Sequence, residues 1–246
     1  MVNTLGGNYI KIKQGESSGI NLFDLEPDIK GNSEFLNILD KVSEIRALLS
    51  TITRNYLNRP LTVKEITSLE ITISEIYREK GITTDVNSLY ERNGGKLDNK
   101  KFAIGKIKKK MPTLTDLQKK LYSKEESKEL AELLIPFLNK NSIGMFDCQS
   151  NIDINSELIA FDLSSIKDEF TKLYASFVIM SWIWQKFVLK NRKDKKIVAV
   201  DEGWTFVKFK ESAEFLETLA RRGRKHNVSL IIASQFIQEY LANDER

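Results

Sequence analysis

The chain has 246 residues, 41% of them hydrophobic and 29% charged, a balance that suits a soluble globular protein of one large domain or two smaller ones. Its formal net charge of +4 permits contact with nucleic acid or an anionic membrane face but argues for neither. The single cysteine, Cys148, excludes an intrachain disulfide and fits a reducing compartment such as cytoplasm; with only His226 beside it, no Cys/His cluster exists to make a zinc site.

The N-terminal "MVNTLGGNYIKI" lacks the charged-then-apolar layout of a secretory signal. Residues 8–13 alternate apolar and polar and predict a strand; "INLFDLEPDIKGNS" then reads as a loop broken by Pro27, Gly31 and Asn32. From Ser33 the period changes. Phe35, Ile38, Val42, Ile45, Leu49, Ile52 and Tyr56 recur three or four apart, which predicts one long amphipathic helix. Thr62 and Glu65 have the spacing of a capping box, and the helix they open runs to about Lys80, with Gly81 as its stop. "MPTLTDLQKKL" and "KEESKELAELLIPFLNK" add further helices. The region from 33 to about 140 is therefore expected to be all-helical. Within it, "ERNGGKLDNKKFAIGKIKKK" carries seven lysines and no aromatic platform, so it reads as a solvated or mobile loop rather than a nucleic-acid contact.

After Gly144 the pattern becomes α/β. Leu158–Leu163, Ile197–Val200 and Val228–Ala233 are strand candidates. Residues 168–190 form a long apolar helix, too interrupted by Lys172, Gln185 and Lys186 to span a bilayer. Residues 211–226 form another, with Phe215, Leu216, Leu219 and Ala220 expected to face inward, and Gln238–Leu241 begins a last one. Apolar strands alternating with helices predict a mainly parallel sheet with helices on both faces.

Two of these strands end in polar groups where an open α/β sheet binds ligands, "IVAVDE" in Asp201 and Glu202, "LIIASQ" in Ser234 and Gln235. This fits the layout of a P-loop ATPase; an acidic pair is also common where a strand end simply meets water, and the residues alone leave both readings open. Asp201 would serve the Mg²⁺ shell and Glu202 would orient and deprotonate the attacking water. Gln235 could hydrogen-bond the γ-phosphate or that water, because an amide both donates and accepts. In "LARRGRKHN", Arg221, Arg224 and Lys225 share a helix face. Such a cluster either reaches a neighbouring subunit's γ-phosphate or simply opposes the helix dipole; the residues alone leave both readings open.

"LGGNYIKI…GINLFDLEP", "MPTLTDL", "FDCQSN…LIAFDLSSI", "IVAVDEGWTFV" and "FLETLARRGRKHNVSLIIASQ" together resemble, in order, the TraC-like conjugative-transfer ATPases of type IV secretion, in the HerA–FtsK group of P-loop motors. The resemblance runs over nearly the whole chain. It implies a RecA-like α/β domain in two parts, residues 1–32 and 144–246, around an inserted helical subdomain at 33–143. It implies ATP and Mg²⁺ as ligands, a hexameric ring, secretion-channel and coupling proteins as partners, and a cytoplasmic place at the inner face of a membrane. Direct nucleic-acid binding is not favoured. By position, Asp201 and Glu202 resemble the Walker B pair, Gln235 the sensor glutamine, and Arg221, Arg222 and Arg224 the arginine motif. The family's phosphate loop, G-x-x-x-x-G-K-[ST], does not occur in these 246 residues. In the family it lies upstream of the "LGG" segment, so the chain is expected to be a motor-domain fragment that binds ATP very weakly alone. The alternatives are a fragment of a HerA- or FtsK-type DNA translocase and a non-catalytic interaction module.

Overall fold

The computed structural model describes residues 2–30, 33–91, 96–97, 101–102, 106–152, 156–189 and 194–234. Among the described residues, eight strands and six α-helices follow in chain order: β1 (Asn8–Lys11), β2 (Asp28–Lys30), β3 (Ser33–Phe35), α1 (Ile38–Leu57), α2 (Val63–Glu79), β4 (Lys96–Leu97), β5 (Lys101–Phe102), α3 (Leu114–Tyr122), α4 (Lys128–Leu133), β6 (Ile159–Asp162), α5 (Glu169–Ile183), β7 (Lys196–Val200), α6 (Lys210–Gly223) and β8 (Val228–Ile232). Short 3-10 turns fill several connections.

Two strand pairs among the described residues are parallel, as expected. β1 pairs with β6 from Asn8↔Ile159 to Lys11↔Asp162, and β7 pairs with β8 from Lys196↔Val228 to Val200↔Ile232. Among the described residues these remain two separate pairs, and β2–β3 and β4–β5 are small antiparallel hairpins. Among the described residues, the β7–β8 pair is packed on one of its faces. Val198 is buried, whereas Ile197 and Ile231 are 67% and 52% exposed on the opposite face. An apolar run specifies a strand, but only the neighbouring elements decide which of its faces is covered.

The helix expected from Ser33 begins instead at Ile38. Ser33–Phe35 is a strand, because it finds Asp28–Lys30 as an antiparallel partner. Asn37 then caps the helix, its side-chain oxygen accepting the Asp40 N–H at 3.2 Å. Beyond that point the spacing holds. Val42, Ile45, Leu49 and Ile52 are buried, while Tyr56 lies half-exposed and meets Phe137 and Phe170 edge-on. In α6, Phe215, Leu216 and Leu219 are buried but Ala220 is exposed. The long apolar helix is α5, extended by a π-turn over Trp184–Val188. That extra residue per turn aims Gln185 and Lys186 at the 24–26 loop: Gln185 accepts the Glu26 N–H at 3.0 Å, and Lys186 pairs with Glu26 and Asp24.

The lysine-rich segment is not simply solvated. Lys108 donates to the Leu25 carbonyl and to Glu26, Lys109 donates to the Lys80 and Gly81 carbonyls at the end of α2, and Lys106 lies over the Tyr90 ring. The last expected helix, 238–241, lies outside the described residues.

One contiguous hydrophobic core joins Ile12 and Phe23 near β1, the helices α1–α4, and Tyr174, Phe177, Leu216 and Leu219 of α5 and α6. α1 and α6 lie antiparallel and are tied at both ends, Asp40 with Arg222 at 2.8 Å and Arg54 with Glu211 at 2.6 Å.

The Thr62–Glu65 capping box forms as the spacing predicts. The Arg59 guanidinium, gripping both Glu65 oxygens at 2.8 and 2.9 Å, holds that carboxyl down at about 2, helped by the Thr62 N–H and hydroxyl and against the effect of burial. A carboxyl whose folded pKa is depressed stabilises the fold above its unfolded pKa of about 4.3, and this contribution is lost as pH falls toward the folded value. Glu65→Gln should therefore be less stable than the wild type at neutral pH, the difference shrinking between about pH 5 and pH 2. Urea midpoints across that range check this; a difference that stays constant with pH would show that the charge of Glu65 contributes nothing.

Candidate functional site

β7 ends at Val200, and the chain turns at once. Asp201 and Glu202 are both exposed beyond the carboxyl edge of the strand. Glu202 adopts the left-handed conformation, φ 52° and ψ 36°, which costs a non-glycine residue about 1–2 kcal/mol. Several contacts hold it there. The Asp201 carboxylate accepts the Glu202 N–H at 2.9 Å. The Glu202 carbonyl accepts both the N–H and the hydroxyl of Thr205, each at 3.2 Å. The Gly203 N–H donates to the Ala233 carbonyl at 3.2 Å, and the Ala233 N–H to the Val200 carbonyl at 2.8 Å. The acidic turn is thus bonded to the end of β8, one residue before Ser234. Gln235 lies outside the described residues.

α5 begins at the same edge. From its first turn, Lys172 Nζ lies 4.0 Å from Glu202 Oε2, and Glu169 pairs with Lys208 of the turn that follows Glu202. Nothing in the sequence marks Lys172, because it meets Glu202 only through the way α5 packs beside the end of β7. Thr205 carried a usable signal, a hydroxyl three residues after Glu202. β6 also ends in a carboxylate, Asp162. Its oxygens are engaged by the Tyr9 hydroxyl and by the Ser164 N–H at 2.8 Å, and these bonds, the Tyr9 one foremost, hold it down at about 2.

The three arginines have different surroundings. Arg221 is exposed and pairs with Glu217 on its own helix. Arg222 is largely enclosed: it pairs with Asp40 at 2.8 Å, lies 3.8 Å from Asp28, and sits 4.8 Å from the centre of the Trp184 ring. Arg224 is exposed and, among the described residues, its side chain makes no hydrogen bond or ion pair. All three precede β8, so they lie at the amino edge of the β7–β8 pair, whereas Asp201 and Glu202 lie past its carboxyl edge. A five-residue strand separates the two edges by about 13 Å. The structure therefore does not bring these arginines to the acidic pair of the same chain.

This sorting has a measurable consequence. Arg222→Ala removes an ion pair and a cation–π contact and should destabilise the fold by about 1–2 kcal/mol. Arg224→Ala should leave the unfolding midpoint unchanged. Thermal unfolding of the two variants checks this, and equal midpoints would contradict the division of roles.

Among the described residues no group of three or more His, Cys, Asp or Glu side chains is placed to hold a metal ion. Also among the described residues, no helix is long and apolar enough to cross a membrane.

Residues 165–246 match the AAA-like domain family, a stretch that contains α5, the acidic turn, α6 and β8. No curated protein matches the chain. The structure of VirB4 of Thermoanaerobacter pseudethanolicus is similar to it with a TM-score of 0.74 and 24% sequence identity, over 99% of this chain and 61% of that one. The chain thus spans less than two thirds of the length of VirB4. The α/β class read from the alternating strands and helices stands: the chain shares the fold of the part of VirB4 that it covers, and residues 165–246 are similar to the AAA-like domain family.

Proposed function

We propose that these residues form the Walker B half of an ATP-hydrolysing motor of a type IV secretion system. The observation that carries this reading is the acidic turn 201–203, set past the carboxyl edge of a parallel strand pair and hydrogen-bonded to the end of the neighbouring strand. In that place Asp201 would hold Mg²⁺ through its water shell, and the metal supplies charge neutralisation at the phosphates. Glu202 would take a proton from water as the water oxygen bonds to the γ-phosphorus. The bond from phosphorus to the bridging oxygen breaks, and its electron pair leaves with ADP. Gln235 would contact the γ-phosphate or the water. The phosphate loop is not among these 246 residues and would have to be supplied by other sequence.

In this reading the helical region 33–143 is an insertion in a RecA-like domain formed by 1–32 and 144–246. Arg224 is the arginine available to act on a nucleotide, and it would do so across a subunit boundary in a ring, since the acidic pair of its own chain lies at the opposite strand edge. Arg221 and Arg222 would support the helix end. Secretion-channel and coupling proteins are the partners this reading implies, at the inner face of a membrane. Transfer of protein or DNA by the assembled system fits better than direct nucleic-acid binding by this chain, because Lys106, Lys108 and Lys109 are engaged with their own chain. Steady-state ATP hydrolysis by the full-length gene product and its Glu202→Gln variant tests the reading; a wild-type rate in the variant would sink it.

A further inference from the structure

Glu202 is held in a costly backbone conformation by more contacts than a strand-end acid requires. Backbone strain of this kind persists only where the surroundings over-determine it. Two of the contacts come from side chains with no place in the reaction described above. Thr205 is buried, and both its N–H and its hydroxyl converge on the Glu202 carbonyl at 3.2 Å. Lys172 approaches the carboxylate itself, at 4.0 Å, from the first turn of α5. A second ion pair, Lys208 with Glu169, fastens the segment after Glu202 to that same turn.

The geometry points to Lys172 and Thr205 as positioning residues for Glu202, an inference that rests on the proposed role of Glu202 as general base. Thr205 fixes the peptide from which the side chain springs. Lys172 fixes where the carboxylate lies along the edge of the sheet. Neither touches the reacting atoms. Without the Thr205 hydroxyl, the Glu202 carbonyl loses one of its two donors and the left-handed turn is free to relax. Without the Lys172 ammonium, the carboxylate is free to sample the rotamers of an exposed side chain. In both cases the base is misplaced while the nucleotide contacts are untouched. A misplacement of this size shows in kcat rather than KM.

The experiment is steady-state ATP hydrolysis by the full-length gene product carrying Lys172→Met or Thr205→Val, each alone and in a Glu202→Gln background. Each single variant should lower kcat about tenfold with KM within about twofold. Lys172→Arg and Thr205→Ser, which keep the charge and the hydroxyl, should recover most of the rate. In the Glu202→Gln background neither variant should cost anything further, because residues that act through Glu202 have nothing left to position. Thermal unfolding shows which variants fold, and the Arg and Ser variants carry the test if the others do not. A large loss in Glu202→Gln with wild-type kcat in Lys172→Met and Thr205→Val overturns this inference and leaves the proposed function standing. Equal losses in both backgrounds also overturn it, since they mark a general structural role. A wild-type rate in Glu202→Gln removes both.

Discussion

Glu202→Gln in the full-length gene product is expected to leave ATP affinity nearly intact and to lower turnover by roughly 10²-fold or more, the scale of losing a general base. Glutamine keeps the size of the side chain and its reach past the end of β7, but it cannot accept the proton. Binding is spared because the phosphates are held elsewhere. The neighbouring Asp201→Asn should behave differently. It should weaken Mg²⁺-dependent nucleotide binding, because the proposed task of that carboxylate is electrostatic. Hydrolysis rates and nucleotide affinities of the two variants, measured side by side, separate the roles. Two variants that fail in the same way would mean that the turn acts as one structural unit and that its two acids have no divided chemistry.

Lys41→Met is expected to destabilise the protein by about 3–5 kcal/mol, the cost of breaking one partner of a buried ion pair. Lys41 and Glu44 are 1% and 7% exposed, and their charged groups lie 2.7 Å apart. Ser181 of α5 joins them, accepting from Lys41 at 2.7 Å and donating to Glu44 at 2.8 Å. Methionine keeps the apolar stem but leaves the Glu44 carboxylate buried with one hydroxyl for company. The double variant Lys41→Met/Glu44→Met should recover most of the loss, because replacing both charges by apolar groups of similar volume is often neutral. Urea unfolding decides the matter; a single-variant loss below about 1 kcal/mol would mean that water reaches the pair. The triad joins α1 of the helical region to α5 of the α/β part. With the ion pairs between α1 and α6, it gives α5 and α6, which flank the acidic turn in sequence, a common footing on α1.

Much of this architecture was legible without a structure, wherever the signal is local. The Thr62–Glu65 capping box is a matter of four consecutive residues, and it forms. The apolar face of α1 from Val42 to Ile52 follows from the helical period, and the apolar runs that became β6, β7 and β8 stand out against their polar flanks. The acidic pair at the end of β7 was visible because a strand end projects whatever follows it past the sheet edge. Local signals failed where a distant partner overruled them. Ser33–Phe35 carries residues compatible with the helix that follows, yet it pairs with β2. The lysines after Lys106 look solvated until Glu26 and the carbonyl end of α2 come within reach.

The candidate site divides in the same way. The sequence by itself determined which residue types stand at the strand ends, that the phosphate-loop pattern is missing from these residues, and that a basic cluster ends α6. Those properties are fixed by order along the chain. Only the tertiary structure decided that the three arginines part company, with Arg222 enclosed between Trp184 and Asp40 and Arg224 left in solvent. It alone put the arginines and the acidic pair at opposite edges of one strand pair, and brought Lys172 of α5 to Glu202 at the end of β7. The physical reason is that helical period and capping act over a few residues, whereas the partner of a charged side chain is chosen by how whole elements pack, and packing joins residues far apart in the chain.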